Sequence, residues 1–451
     1  MQQDKKTDLS HKTELSEIKS VNKKMPALTK SETPKFKSPF DTFFRKRIDT
    51  AFGIDISDSS IELMEFKAFF SHKPRSYSRV HLEKGIVEKG KILEKDILEQ
   101  KLKILLQSAK PKKVSTNRVI MSLPEAQVFT WSTAINKSIS GDELKNKIFE
   151  EAKKFIPLDF KKIYWDYVTY QIPKKDLQYV TFVGISQDVL NDYVEVAHRL
   201  GLEIVDFSLV SMCLGKVFLP PIEKDTHVIL DIGGEKSNIT IFEGNTLLKL
   251  SATIPVAGYM FNKEISQGMG ITELEAEEMK IKFGTGEGAP AQYTESINKI
   301  LKKLIDEVKK SIKYYEDNSG ETVDAIYLTG GSSMLIGLNS YIENATGIKI
   351  KQMNSLPFIS KSSVFEKEIN LNLFMNAVGL ALLGITKNSN AISFRKKILI
   401  GDNKKSFFQI IKTGNFDKQK MIFSYTHVVY GSLTLLVIIL ITIFTLMWLE
   451  L

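Results

Sequence analysis

The chain has 451 residues, a formal net charge of +9 and an apolar fraction of 43%, which admits two or three domains of ordinary globular composition with a moderate basic excess. A single cysteine, Cys213, excludes an intramolecular disulfide framework and reads as a packed thiol in its VSMCLG run; the six scattered histidines offer no zinc-ligand set beside it. No G-x-S-x-G or comparable nucleophile motif occurs, and the basic stretches lack the aromatic interleaving of a nucleic-acid groove, so no nucleic-acid partner is expected.

Residues 1–50 are polar and rich in Lys, Ser, Thr and Glu, and read as a disordered basic tail without an apolar signal region. The run Arg45-Lys46-Arg47 near its end reads as a solvated linker, with contact to anionic lipid as the alternative. A first hairpin follows, AFGIDISDSSIELMEF from Ala51 to Phe66: an apolar strand, Asp55, a turn carrying Ser57, Ser59 and Ser60, then a second strand. Leu93 to Ser108 has apolar residues at helical spacing (Ile97, Leu98, Leu102, Leu105, Leu106). Residues 117–172 read as a small inserted subdomain. Its helix starts after Ser140-Gly141-Asp142 and stops before Pro157.

The chain re-enters the main domain after Tyr179, and a second hairpin follows, VILDIGGEKSNITIF from Val228 to Phe242. Here Asp231 precedes a turn with Gly233, Gly234 and Lys236. Turn amides of this kind clasp phosphates, and an Asp at each of two facing turns can hold a hydrated Mg²⁺. The stretch GMGITELEAEEMKIKFG, Gly268 to Gly284, places Glu277 and Lys280 one helical turn apart, the spacing of an ordinary exposed ion pair. Ala291 to Asn318 is a long helix whose stripe Ile297, Ile300, Leu301, Leu304, Ile305, Val308 and Ile312 reads as core. A third loop, IYLTGGSSMLIGL from Ile326 to Leu338, puts Gly330, Gly331 and Ser332 between a strand and a helix, where backbone approaches a nucleoside closely.

From about Thr386 the composition shifts. Residues 387–424 are a basic juxtamembrane linker, and residues 425–450 contain an uncharged apolar run from Thr426 to Leu449. At about 1.5 Å per residue this run is long enough to cross a hydrocarbon core of about 30 Å. Lys and Arg crowd its N-terminal side, which orients the body of the chain to the cytoplasm; Tyr425, Tyr430 and Trp448 fit interfacial anchors.

The order of the three loops resembles the actin-like nucleotide-binding superfamily. Within it the chain resembles the type IV pilus assembly protein PilM family over about Ala51 to Thr386. The stretches that carry this are NRVIMSLPEAQVFTWSTAI (Asn117–Ile135), EEAKKFIPLDFKKIYWDYVTY (Glu150–Tyr170), Tyr179–Phe218 and NLFMNAVGLALLGI (Asn372–Ile385). The resemblance implies an α/β actin-like, ribonuclease-H-like duplicated fold with a small inserted α+β subdomain, to which the apolar run of residues 426–449 adds one C-terminal transmembrane helix. It implies ATP and Mg²⁺ as cofactors. Asp55 and Asp231 would organise the metal and the attacking water, and Ser57, Ser59, Ser60, Gly233, Gly234 and Lys236 would face phosphates. Glu277 and Lys280 would contact ribose and base, with Gly330, Gly331 and Ser332 on the adenosine side.

The chain departs from the family pattern at Ser57 (commonly glycine), Asp58 (an added acid), Glu62 (commonly basic) and Glu235 (commonly small). Extra carboxylates repel a triphosphate, so turnover is expected to be slow or absent. The partners implied are the bacterial inner membrane, PilN/PilO-like platform proteins and pilus motor ATPases, with self-association left open. Residues 387–449 stand where a PilN-like partner's cytoplasmic segment and span would be, which suggests docking in cis. A type II secretion GspL-like platform protein and an FtsA-like division protein are the alternatives of similar architecture; a small-molecule kinase of the same fold is a more distant one.

Overall fold

The computed structural model describes residues 51–67, 74–157, 159–171, 176–219, 225–244, 247–352 and 370–385. The predicted basic tail (1–50), juxtamembrane linker (387–424) and span (425–450) lie outside them. Among the described residues no helix is long and apolar enough to cross a membrane.

The first lobe opens with β1 (Phe52–Ile56), β2 (Ser60–Phe66), β3 (Pro74–His81), the short β4 (Val87–Glu88) and β5 (Lys91–Ile92), α1 (Lys95–Gln107), β6 (Lys110–Pro111) and β7 (Arg118–Ser122). An insert follows: β8 (Val128–Asn136), α2 (Gly141–Ala152), β9 (Ile163–Gln171) and β10 (Leu177–Ser186). Then α3 (Gln187–Arg199) and β11 (Glu203–Ser208) return to the first lobe, and α4 (Val210–Phe218) leads out of it. The second lobe comprises β12 (Thr226–Ile232), β13 (Ser237–Glu243), β14 (Leu247–Ile254), α5 (Gly258–Met269), α6 (Glu273–Phe283), α7 (Ala291–Ser319), β15 (Ala325–Thr329), α8 (Leu338–Thr346) and β16 (Ile350–Gln352). The helix α9 (Met375–Ile385) ends the described chain.

The two lobes repeat one sheet. In the first the order runs β11-β7-β1-β2-β3-β6, and in the second β14-β13-β12-β15-β16. β1 pairs antiparallel with β2 and parallel with β7; β12 pairs antiparallel with β13 and parallel with β15. The outer neighbours continue the correspondence: β3 with β14, antiparallel, and β11 with β16, parallel. Each sheet is therefore a hairpin followed by parallel crossovers, and β1 and β12 are central and buried along nearly their whole length. That burial on both faces explains their unbroken apolar runs. The α7 stripe read from the sequence is buried, from Ile297 at 0% to Ile312 at 5% exposure, and packs on the second sheet.

The insert differs from its predicted bounds of 117–172. The strand β7 belongs to the first lobe's sheet, whereas β10 lies between β8 and β9 in the separate three-stranded sheet, antiparallel to both. The inserted sheet thus spans Val128 to Ser186, and the chain re-enters the lobe at α3. The apolar run of β7 was central-strand burial, and no local pattern distinguishes that from the opening of an insert.

Two details of the scaffold matter for the site. A Cβ on Gly53 of β1 would lie 2.5 Å from the Ala377 carbonyl oxygen and 2.6 Å from the Ala381 amide nitrogen, so α9 sits flush on β1. His227 on β12 is fully buried, and neither ring nitrogen has a hydrogen-bond partner. Burial, and then the nearby Lys351 charge, hold its pKa below the ordinary value of 6.5, despite Asp225 and Asp324. A depressed histidine is neutral in the fold, so its stability contribution is complete above about pH 6.5 and is lost as pH falls below it. His227→Phe should therefore gain stability over the parent as pH drops from 6.5, by at most about 1.4 kcal/mol per pH unit. Urea melts at pH 7.5 and 5.5 test this; an equal difference at both pH values contradicts it.

Candidate functional site

Between the lobes lies a cavity of about 910 Å³, within the size range of nucleotide and cofactor sites. Every residue predicted from the three loops and from α6 lines it: Asp55, Ser57, Ser59, Ser60, Asp231, Gly233, Gly234, Lys236, Glu277, Lys280, Gly330, Gly331 and Ser332.

The first turn is closed on itself. The Ser57 amide donates to the Ser60 carbonyl at 2.9 Å, and the Ser60 amide to Ser57 Oγ at 3.0 Å. The second turn is tied to the helix behind it. Gly258 N donates to the Gly233 carbonyl at 3.1 Å, Tyr259 N to the Gly234 carbonyl at 2.7 Å, and Ser332 Oγ to the Gly233 carbonyl at 2.8 Å. Both glycine carbonyls are thereby held away from any anion in the cleft. Gly330 has φ +88°, and a Cβ there would collide with Asp231 Oδ1. Only glycine fits at that approach.

The floor of the cleft is acidic. Asp55 and Asp231 occupy equivalent positions on β1 and β12, one residue before each strand ends. Burial raises the Asp55 pKa above its ordinary value, and burial followed by the Asp55 charge pushes Asp231 up to about 7. Burial also raises Glu125, whose Oε1 accepts from the Ser211 amide at 2.8 Å. Lys236 is the cation whose charge offsets these three acids. Two hard carboxylates facing each other, both disfavoured as bare anions, suit a hard divalent cation that completes its shell with water and phosphate oxygens. Among the described residues no group of three or more His, Cys, Asp or Glu could hold a metal ion.

On the other side of the cavity Lys280 Nζ and Asn262 Nδ2 both donate to Glu277 Oε2 at 2.5 Å. This makes Glu277–Lys280 a half-buried pair rather than a solvated one, since Lys280 is only 9% exposed. Ile281, Met334 and Ile336 are exposed apolar side chains lining the same region.

Asp58 and Glu62, the added acids of the first hairpin, both have partners in the fold. Asp58 accepts from the Lys89 and Gly90 amides at 3.0 and 2.9 Å, bracing the β4–β5 turn. Arg79 Nε donates to Glu62 Oε1 at 2.7 Å, while burial and the Asp55 charge push Glu62 up to about 7. The two amides bring no countercharge to Asp58, whereas Glu62 is paired with a cation. Sequence reasoning also missed Asn376, whose Nδ2 donates to Asp55 Oδ2 at 2.9 Å and to Asp231 Oδ2 at 3.4 Å. The signal was there: Asn376 is the one polar side chain within the apolar α9 segment MNAVGLALLGI.

Two lobes built on one repeated sheet around a nucleotide-sized cleft are the fold of the actin-like ATPases. The family described as type IV pilus assembly protein PilM matches residues 53–385. The chain belongs to the PilM family. The structure of a PilM-PilN type IV pilus biogenesis complex superposes with a TM-score of 0.65 at 21% identity, covering 75% of this chain and 99% of that one. The cell division protein FtsA of Bacillus subtilis is 32% identical over 105 residues, 23% of this chain and 24% of that protein. FtsA of Pseudomonas aeruginosa is 24% identical over 217 residues, 43% of this chain and 51% of its own length. The chain thus spans about half or less of the FtsA relatives it matches.

Proposed function

We propose that this PilM-family scaffold binds ATP with Mg²⁺ in the cleft and serves in the inner-membrane platform of a type IV pilus machine. The observation that carries this is the meeting of two hairpin turns, each with its Asp, across one cavity. Asp55 and Asp231 would hold the cation, the Ser57–Ser60 and Gly233–Lys236 turns the phosphates, and Glu277, Lys280 and Gly330–Ser332 the nucleoside. The cation would neutralise phosphate charge. The chain's own residues orient the polyphosphate and keep the two lobes around it. Asp58 and Glu235 still bring added acid to the cleft lining, so turnover is slow or absent, as befits a switch.

A PilN-type partner is supported by the likeness to a PilM-PilN complex. Residues 425–450 would anchor the chain in the inner membrane, with residues 387–424 docking in cis where such a partner's segment would bind. PilO-like platform proteins and motor ATPases would be the further neighbours. A GspL-like role in type II secretion or an FtsA-like role in division are rival readings of this architecture.

The test is equilibrium binding of ATP to the whole chain in detergent, with and without Mg²⁺, beside a turnover assay. Mg²⁺-dependent binding supports the reading, and the rate separates switch from enzyme. No binding at millimolar ATP overturns the nucleotide reading and leaves a pseudo-ATPase scaffold. Membrane fractionation of the chain against one ending at residue 424 tests the anchor; equal membrane retention contradicts it.

A further inference from the structure

The two carboxylates at the centre of the cleft come from different lobes, and one neutral side chain touches both. An amide NH₂ has two hydrogens to give, and Asn376 directs them to Asp55 Oδ2 and Asp231 Oδ2, 321 and 145 residues away in the chain. Nothing else in the described residues makes a hydrogen bond to both.

Asn376 sits on a rigid support. The flush seat of α9 on β1 brings Ala377, Leu380 and Ala381 against Gly53, and Gly384 against the Ala51 carbonyl. The approach to α9 is fastened to the second lobe. The Asn370 amide contacts Met334, and a Cβ on Gly331 would come within 3.2 Å of Leu373 Cδ2. The element carrying Asn376 is thus braced on both lobes, which is what a preorganised site requires.

We propose that Asn376 is the positioning residue of the cleft's divalent-cation site: it holds Asp55 and Asp231 facing one another before the cation arrives. This rests on the nucleotide-cleft reading above. Asp55 is buried and Asp231 partly so, and two carboxylates brought to one amide nitrogen repel each other. Without a shared donor they swing apart, and a cation must then reorder them as it binds. With the amide in place the pair is already gathered, and Asn376 supplies no charge that would compete with the cation. The ligand class is a hard divalent ion, Mg²⁺ or Mn²⁺, in an oxygen shell.

The experiment compares the whole chain in detergent with Asn376→Ala and Asn376→Asp. Two quantities are read: the melting temperature in chelator and in Mg²⁺ alone, and the Mg²⁺ concentration giving half-maximal binding of the non-hydrolysable analogue AMPPNP. Asn376→Ala should fold, because the seat of α9 does not use this side chain. It should melt lower in chelator and need about 10–100-fold more Mg²⁺ for half-maximal binding, the usual cost of losing a residue that orients metal ligands. Asn376→Asp adds a third carboxylate. It should melt lowest in chelator, yet recover more on adding Mg²⁺ than the parent does.

A purely structural role for Asn376 lowers melting equally in chelator and Mg²⁺ and leaves the half-maximal Mg²⁺ unmoved. That result overturns the proposal, as does an Asn376→Asp protein that Mg²⁺ does not rescue. If the parent binds AMPPNP only with Mg²⁺ and Asn376→Ala is unchanged, this inference fails alone. If the parent shows no Mg²⁺-dependent binding, the nucleotide reading fails with it.

Discussion

Asp231→Asn should abolish Mg²⁺-dependent ATP binding and, in the same protein, raise the melting temperature of the ligand-free chain. The two effects share one cause. Burial, and then the charge of Asp55 across the cleft, push the Asp231 pKa from 3.8 up to about 7. A carboxyl whose pKa is raised by folding stabilises the protein in its protonated form. That contribution is present below about pH 4 and is lost as pH climbs to about 7. At pH 7.5 the parent therefore carries an unfavourable anion that Asn lacks. Because the cleft is open to water, the gain is roughly 1–2 kcal/mol, or several degrees of melting temperature. It should shrink toward zero at pH 4. The neutral amide still accepts from Asn376, so the fold is kept, but one of the two carboxylates proposed to hold the cation is gone. The loss of nucleotide affinity in Mg²⁺ should exceed the 10–100-fold cost of losing a mere supporting partner. Calorimetric melts at pH 7.5 and 4, with ATP titrations in Mg²⁺ and in chelator, decide it. A less stable Asp231→Asn, or one that binds Mg²⁺-ATP normally, refutes the account. The pattern is the usual cost of function, in which a site holds a charge the empty fold would rather lose.

Gly330→Ala should cost about 3 kcal/mol or more and remove nucleotide binding. Gly330 has φ +88° and ψ 162°, a region that residues with a Cβ essentially never occupy. Its new methyl would strike Asp231 Oδ1 and come within 2.5 Å of the Ile232 carbonyl oxygen. Both are parts of β12 that cannot retreat, since that strand is central in its sheet. The damage falls on the second carboxylate and on the third loop together. Denaturant unfolding and ATP binding check this. A folded, fully stable Gly330→Ala that binds ATP would mean that the close approach is not needed. The two variants separate stability from binding: Asp231→Asn gains one and loses the other, and Gly330→Ala loses both.

Several parts of the fold were readable from residue patterns. The two hairpins announce themselves by an apolar run, an Asp, a polar turn and a second apolar run, because strands buried on both faces tolerate little else. The α7 stripe is readable for the same reason, as helix periodicity records burial directly. The glycine pairs of the second and third loops stand out because close backbone approach restricts residue type, and they line the cleft. The VSMCLG run marks Cys213 as a packed thiol, and it is buried.

What was hidden in the sequence concerns pairing between distant segments. Asp58 and Glu62 look alike as added acids, but Glu62 is paired with Arg79 while Asp58 braces the β4–β5 turn through two amides. The insert's bounds were misplaced because strand periodicity reports that a strand is buried and not which sheet buries it. Asn376 and Glu125 were passed over because a single polar residue carries no period. The residues themselves determined the three loops, the repeated hairpins and the acids available to the cleft, since each is a local pattern imposed by burial or by backbone geometry. Only tertiary structure decided which acids are bare, which are paired and that one amide bridges two lobes, because a side chain's charge state depends on the groups that folding places beside it.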